Sequence, residues 1–154
     1  MSVSKFVVAE PIFTVVQRED ENSPVYAAIN TVLADFNEEQ QQYFGWQLSL
    51  IMDLNTETET GLPDAAEAKE IEPFCTELDR LISADGNAVP LARISWKKTY
   101  ELLFRVYNPV EADKVLQTLI EAEENPRPFT YTIDPDEQWE MAADYTKGFN
   151  TQPS

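Results

Sequence analysis

The stretch LARISW-KKT-YELLFRVY, residues 91–107, decides the fold of this chain. Apolar residues alternate with polar ones on both sides of a short polar turn, a pattern that indicates antiparallel β-strands. We therefore predict strands over Leu91–Trp96 and Tyr100–Tyr107, joined by the turn Lys97-Lys98-Thr99. The apolar face of the second strand would consist of Tyr100, Leu102, Phe104 and Val106.

A helix, a strand and a further helix are predicted on the C-terminal side of this hairpin. The sequence Asn108-Pro109-Val110-Glu111 combines a capping residue, a proline for the first turn and a glutamate that can reach back to the cap. A strand follows over Phe129–Ile133. Asp134-Pro135-Asp136-Glu137 is a second helix start of the same kind, and the closing helix, which would carry Trp139, should end near Gly148.

Three strands and one helix are predicted on the N-terminal side. Alternating patterns over Pro11–Gln17 and Pro24–Leu33 predict a hairpin, and a third strand is expected over Trp46–Leu54. Apolar residues with helical spacing run from Ile71 to Ile82. Because Pro73 lies inside this pattern and a proline removes a helical hydrogen bond, the helix either kinks there or consists of two shorter ones.

The order of these elements, β-β-β-α-β-β-α-β-α, predicts an α+β fold. We expect a two-layer sandwich in which two main helices pack on one face of a mostly antiparallel sheet. The second half, ββαβ, would be partly ferredoxin-like. With 154 residues, we expect a single domain over residues 1–154.

Charge and composition exclude several function classes. The chain has 28 Asp+Glu against 11 Lys+Arg, a formal charge of −17, which excludes nucleic-acid binding through phosphate neutralisation. It contains no histidine, so neither Ser-His-Asp or Cys-His catalysis nor a histidine-ligated metal site can form. Its one cysteine, Cys75, lies in an apolar helix pattern and is expected to be a buried hydrophobe. We therefore predict no catalytic residues, no metal and no cofactor.

No stretch approaches the roughly 20 apolar residues that cross a bilayer, and no apolar core of a signal peptide is present. The unpaired cysteine agrees with a reducing compartment. We therefore expect a cytoplasmic protein without membrane contact.

The density of acidic residues is the main functional signal. Residues 55–79 and 119–144 each contain eight acids against one base. Acidic residues near helix starts can simply cap and solvate the helices. Alternatively, they meet a basic partner, whose association complementary charge accelerates. The candidate partner-binding residues are Asp64, Glu67, Glu70, Glu121, Glu124, Asp136, Glu140 and Trp96.

The few basic residues indicate a second candidate site. Arg93 and Arg105 could face each other across the hairpin, on the polar side of the sheet. They would then either pair with nearby carboxylates or bind a small anion.

Several short motifs give a family resemblance over roughly residues 10–145. They are Gly61-Leu62-Pro63, Ala92-Arg93-Ile94-Ser95-Trp96, Tyr100-Glu101-Leu102-Leu103-Phe104, Arg127-Pro128-Phe129-Thr130-Tyr131, and Asp134 through Trp139-Glu140. Together they resemble the bacterial domain of unknown function 695 family. The family has no established enzymatic activity that the resemblance could carry over to this chain. In setting, the chain is similar to the regulator-of-ribonuclease-E-activity-B-like domains, which are acidic inhibitors with a ferredoxin-like fold.

These observations favour a non-catalytic acidic protein that inhibits a basic partner. The most concrete version is a bacterial immunity protein that neutralises a toxin domain, in particular a nuclease. An endogenous regulator of an RNA-processing enzyme and a small-anion-binding domain are the alternatives. A carboxylate-dependent hydrolase is a further one, but no pair of the many carboxylates stands out for it.

Overall fold

The computed structural model describes residues 11–20, 23–54, 64–96, 98–122 and 128–140. The strands are β1 (Phe13–Asp20), β2 (Ser23–Asn30), β3 (Trp46–Asp53), β4 (Ala88–Trp96), β5 (Thr99–Val106) and β6 (Phe129–Pro135). The α-helices are α1 (Glu38–Tyr43), α2 (Ala65–Ile82) and α3 (Pro109–Ala122), and short 3-10 helices occupy Thr31–Asp35 and Ala84–Gly86.

The strands form a six-stranded antiparallel sheet in the order β1-β2-β4-β5-β3-β6. The predicted α+β fold is therefore confirmed, and so is the β4–β5 hairpin. The helix α2 joins β3 to β4, which are separated in the sheet by β5. In the same way α3 joins β5 to β6, which are separated by β3. Residues 46–135 thus form two split βαβ units, the ferredoxin-like arrangement, and the β1–β2 hairpin extends the sheet beside β4.

One face of the sheet packs against α2 and α3, as the two-layer prediction requires. The predicted apolar face of β5 lies in this core together with the buried stripe of α2. That stripe consists of Ile71, Phe74, Cys75, Leu78 and Ile82. The helix α2 is continuous through Pro73, whose side chain is exposed. The helix begins at the N-cap Asp64.

The start of α3 is confirmed, although its cap differs in detail from the prediction. Asn108 accepts a hydrogen bond from the N–H of Val110 at 3.0 Å. The backbone N–H of Asn108 donates to Oδ1 of Asn87 at 2.9 Å. The expected hydrogen bond from the cap backbone to Glu111 is therefore replaced by a hydrogen bond to Asn87, in the loop before β4.

The second face of the sheet has a core of its own, which the sequence did not indicate. Residues 31–44 cover part of this face, and Phe36, Phe44 and Trp139 are buried against it. The predicted strand Pro24–Leu33 instead ends at Asn30. The helix α1 has no buried residues and therefore no apolar period to detect. A capping box between Asn37 and Gln40 fixes its start.

The predicted start of the closing helix is wrong. The strand β6 runs through Pro135, and Trp139 has a φ of 56°, which no α-helical residue adopts. Residues 141–148, where the remainder of that helix was predicted, lie outside the described residues.

Across the described ranges, none of the helices combines the length and the apolar character needed to cross a bilayer.

Candidate functional site

A buried arginine anchors a polar cluster on the second face of the sheet. Arg105 has 0 % exposure, and its guanidinium donates to the carbonyl of Phe44 at 3.2 Å and to Oε1 of Gln47 at 2.8 Å. It also pairs with the carboxylate of Asp136 at 2.9 Å and donates to the backbone carbonyl of that residue at 2.7 Å. The guanidinium carbon lies 4.5 Å from the ring centroid of Trp139. The charge is thus fully enclosed by acceptors and an aromatic face.

This cluster fixes the segment 136–140 against the segment that contains α1. The indole N–H of Trp139 donates to the carbonyl of Gln41 at 2.6 Å. The N–H of Asp136 donates to the carbonyl of Gly45 at 2.7 Å. A Cβ on Gly45 would lie 3.3 Å from Cγ of Glu137 and 3.1 Å from the carbonyl oxygen of Gln42, so the absence of a side chain permits this close approach. Hydrogen bonds therefore join the two segments beneath their outward-facing side chains.

The surface formed by residues 31–44 and 134–140 is strongly acidic, and we call it the acidic layer. Its exposed carboxylates are those of Asp35, Glu38, Glu39, Asp134, Glu137 and Glu140. The stretches 31–54 and 128–140 contain no Lys or Arg in their sequence. Arg105 is the cation beneath the layer, and its charge is balanced by the buried Asp136. The layer thus presents negative charge from two stretches whose own sequences contain no base.

Arg93 and Arg105 do not face each other, so the predicted arrangement of these two residues is wrong. Arg93 pairs across the hairpin with Leu102, which lies in the core under α2 and α3. Arg105 pairs with Val89, which lies in the core of the second face. The two arginines therefore occupy opposite faces of the sheet. Because Arg105 is fully buried and its donors are engaged, it offers no surface to a small anion.

Arg93 forms ion pairs with two carboxylates of α2, as one of the alternatives expected. Its guanidinium lies 2.7 Å from Asp79 and 3.3 Å from Glu72. Burial acts to lower the pKa of Arg93, but the charge and hydrogen bond of Asp79 raise it overall. Burial also raises the pKa of Asp79, whose Oδ1 is buried and has no hydrogen-bond partner. The arrangement fastens α2 to the sheet.

Most of the acidic residues of α2 have structural roles. Asp64 caps the helix by accepting from the N–H of Glu67 at 2.8 Å. The Glu67 side chain is itself buried, at 5 % exposure. Glu77 forms an exposed ion pair with Arg80 at 2.6 Å. Among the α2 residues predicted to bind a partner, Glu70 is exposed at the surface away from the sheet layer.

The remaining predicted partner-binding residues do not lie on one surface. Glu121 is exposed in the last turn of α3, and Glu124 lies outside the described residues. Asp136 is buried in the Arg105 cluster, whereas Glu140 is exposed on the acidic layer. Trp96 packs, half-buried, against the core of the second face. Of the predicted set, the structure therefore places only Glu140 with an exposed side chain on the acidic layer.

Comparison with protein-family models matches residues 19–146 to a family described as "Family of unknown function (DUF695)". The chain belongs to this family. The match covers most of the range over which the sequence motifs gave the resemblance. Comparison with curated proteins and with solved structures gave no match. The analogy with the regulator-of-ribonuclease-E-activity-B-like domains is not confirmed by these findings.

In this DUF695 protein, burial raises the pKa values of two groups in the helix-covered core. Cys75 is fully buried, and burial raises the pKa of its thiol to about 12. Burial likewise raises the pKa of Tyr100 to about 12. The thiolate that a cysteine nucleophile requires is therefore strongly disfavoured. Within the ranges that the structure describes, no group of three or more Cys, Asp or Glu side chains could hold a metal ion.

Most residues of the acidic layer were not predicted from the sequence to bind a partner. Asp35, Glu38, Glu39, Asp134 and Glu137 were not among the candidates for partner binding. The signal that could have found them is the run without any base over residues 31–54, followed by a second such run over residues 128–140. The number of acidic residues favoured α2, but Asp64 caps that helix and many of its other carboxylates are buried or form ion pairs.

Proposed function

We propose that this protein is a non-catalytic acidic binding protein that inhibits a basic protein partner. The observation that supports the proposal is the acidic layer, where exposed carboxylates of two segments lie together without a Lys or Arg in either segment. A surface of one charge sign raises the association rate of an oppositely charged partner.

The Arg105 cluster gives this surface a fixed geometry. Glu137 and Glu140 flank Trp139, which is buried at 4 % exposure and bonded to α1. Their positions are therefore set before a partner arrives. Preorganisation of this kind lowers the entropic cost of binding.

In its most specific form, the proposal is a bacterial immunity protein that binds a toxin domain in the cytoplasm. A nuclease is the favoured toxin, because an enzyme that binds nucleic acid has a basic channel that an acidic surface can cover. The alternative with the same physical basis is a regulator of an endogenous RNA-processing enzyme. In both cases the acidic layer would occupy the channel in place of a phosphate backbone.

The proposal is tested by recovering the partner and comparing two charge-reversal variants. The tagged protein is incubated at low salt with a lysate of its own cells, and co-purified proteins are identified by mass spectrometry. One variant carries Glu38→Lys, Glu137→Lys and Glu140→Lys on the acidic layer. The matched variant carries Glu70→Lys, Glu111→Lys and Glu121→Lys on α2 and α3, so that net charge changes equally.

We expect a basic protein to co-purify in stoichiometric amount with the natural sequence and with the helix variant. We expect it to be lost with the acidic-layer variant, and its association rate to fall steeply as salt rises. The absence of any basic partner, or equal loss with both variants, would contradict the proposal. A toxin domain among the recovered proteins would support the immunity role, and an endogenous ribonuclease would support the regulator.

A further inference from the structure

The two edge strands of the sheet differ in how they end. The strand β6 is bounded by Pro128 and Pro135, and prolines blunt a sheet edge because they cannot donate a ladder hydrogen bond. The strand β1 has eight residues and no proline. Near its start, Ile12, Phe13 and Val15 are exposed by 61 %, 39 % and 66 %. An exposed, apolar and unblunted edge is a template for pairing with another strand.

The hairpin geometry shows which backbone groups of β1 face outward. Ile12 accepts a hydrogen bond from the N–H of Thr31 at 2.9 Å, across from it in the β1–β2 register. In an antiparallel pair the hydrogen-bonded positions alternate. The even-numbered residues of β1 therefore bond to β2. The N–H and C=O groups of residues 13, 15, 17 and 19 point away from β2, along an edge that none of the other described strands pairs with.

We propose that β1 pairs with an extended, positively charged segment of the partner protein, which adds a strand to this edge of the sheet. Main-chain hydrogen bonds would provide affinity, and alternate side chains beside Phe13 and Val15 would provide specificity. The positive sign rests on the proposed function, and the sequence around β1 supports it. Residues 10–21 contain four acids, Glu10, Glu19, Asp20 and Glu21, against one base, Arg18.

A second copy of this chain fits the edge less well. Two copies would each bring a formal charge of −17, and antiparallel pairing of β1 with β1 would place Glu10 of one copy near the acids at residues 19–21 of the other. Like charges held close at an interface oppose association. A strand that alternates Lys or Arg with apolar residues meets both the charge and the exposed apolar side chains.

The test uses a capped eight-residue peptide of alternating Lys and Val, with a Glu–Val peptide of equal and opposite charge as its control. Binding to the full chain is measured by fluorescence anisotropy, and the contact is mapped by amide shifts in 15N-resolved spectra. We expect the Lys–Val peptide to bind and to shift the amides of residues 13, 15, 17 and 19. Val15→Lys should weaken this binding at least about tenfold by repulsion. Ile120→Lys, at an exposed apolar site on α3, should not.

Three results would overturn the proposal. Equal binding of both peptides, or binding that Val15→Lys leaves unchanged, would show that the edge does not select a basic strand. Slow hydrogen exchange of the amides of residues 13, 15 and 17 in the free chain would show that the edge is already covered. Sedimentation that reveals a dimer dissociated by Val15→Lys would assign the edge to a second copy. The acidic-layer variant should still bind the peptide, so failure here leaves the partner experiment as a separate test.

Discussion

Arg105 is a full positive charge placed where water does not reach. Burial lowers the pKa of this guanidinium, and the hydrogen bond and charge of Asp136 counter the shift. Arginine nevertheless remains charged in proteins. Removing water from such an ion costs several kcal/mol, which only a complete set of partners can offset. The buried charge of Arg105 is therefore stable only when these acceptors are in place, so it favours one arrangement of the segments that carry them.

Replacing Arg105 by Leu should lower the free energy of unfolding by about 3–5 kcal/mol, because Asp136 is then a buried carboxylate without its cation. Urea titration followed by tryptophan fluorescence measures the change. Arg80→Ala is the control, because its ion pair with Glu77 is exposed, and it should leave the midpoint nearly unchanged. Comparable losses in both variants would contradict a structural role specific to the buried pair.

The neutral forms of Cys75 and Tyr100 predict alkaline sensitivity. Each has a pKa raised by burial to about 12, against ordinary values of 9.0 and 10.0. The unfolded chain therefore loses these protons at lower pH than the folded one. The contribution of these two groups to the free energy of unfolding therefore has its full value below about pH 9 and is lost as the pH rises toward 12. Each tenfold difference in proton affinity contributes about 1.4 kcal/mol.

Unfolding free energies measured by urea titration from pH 7 to 11.5 should show this fall. Tyr100→Phe and Cys75→Ala should each flatten the curve, although both lower the starting value. A profile with the same slope in the two variants as in the natural sequence would contradict the assignment.

The prediction that Arg93 and Arg105 lie on the same face of the sheet was wrong for a simple reason. The sequence turn of residues 97–99 would pair Trp96 with Tyr100, and that register puts Arg93 on the same face as Arg105. The structure pairs Trp96 with Thr99 instead. A register shift of one residue moves a side chain to the opposite face. Strand existence could thus be predicted from alternation, whereas the register depended on one residue of turn length.

At the scale of elements, α2 tolerates a proline in its interior. The exposed Pro73 lacks the N–H that would bond to the carbonyl of Lys69. Pro73→Ala should therefore raise the free energy of unfolding, with about 3 kcal/mol as an upper bound from helix propensity. The restricted unfolded chain of the natural sequence reduces the gain.

Thermal and urea unfolding of the Pro73→Ala variant measure this change. Thr76→Ala, at an exposed position one turn later in the same helix, is the control and should have a small effect. A loss of stability in Pro73→Ala would instead mean that the proline shapes the helix to fit the sheet.

The elements that could be predicted are those with an apolar period of their own. The strands of the β4–β5 hairpin and the helices α2 and α3 have such a period, and all were predicted. The helix α1 depends on a capping box, and the segment 136–140 is positioned by Trp139 and Arg105. The segment 136–140 is held by contacts between residues far apart in the sequence, and the capping box of α1 is a local signal without an apolar period beside it, so the apolar pattern indicated neither. The acidic layer, which lies on these two parts of the chain, was therefore not predicted.

At the scale of the whole molecule, the net charge should oppose folding and favour partner binding. The charge of −17 repels itself in the compact state. Raising NaCl from about 0.02 to 0.5 M, which shortens the screening length to a few Å, should therefore raise the melting temperature of the free protein.

Differential scanning calorimetry in the two buffers measures this effect. The same increase in salt should slow association with a basic partner, so the two responses have opposite signs. A melting temperature that is unchanged or lower in salt would indicate that internal ion pairs outweigh the repulsion.

The Arg105 cluster also has a consequence for how the chain acquires its fold. Its acceptors on Phe44, Gln47 and Asp136 are separated from Arg105 by 61, 58 and 31 residues along the chain. Contacts of such long range slow folding, because large loops must close, at a cost in chain entropy, before the stabilising contacts can form. During synthesis, β5 emerges before Asp136 does, so the guanidinium of Arg105 stays hydrated until its counter-ion has been synthesised. The second core can therefore close only as one of the last steps, and forms of the protein with that step incomplete would expose the sheet face that Trp139 covers.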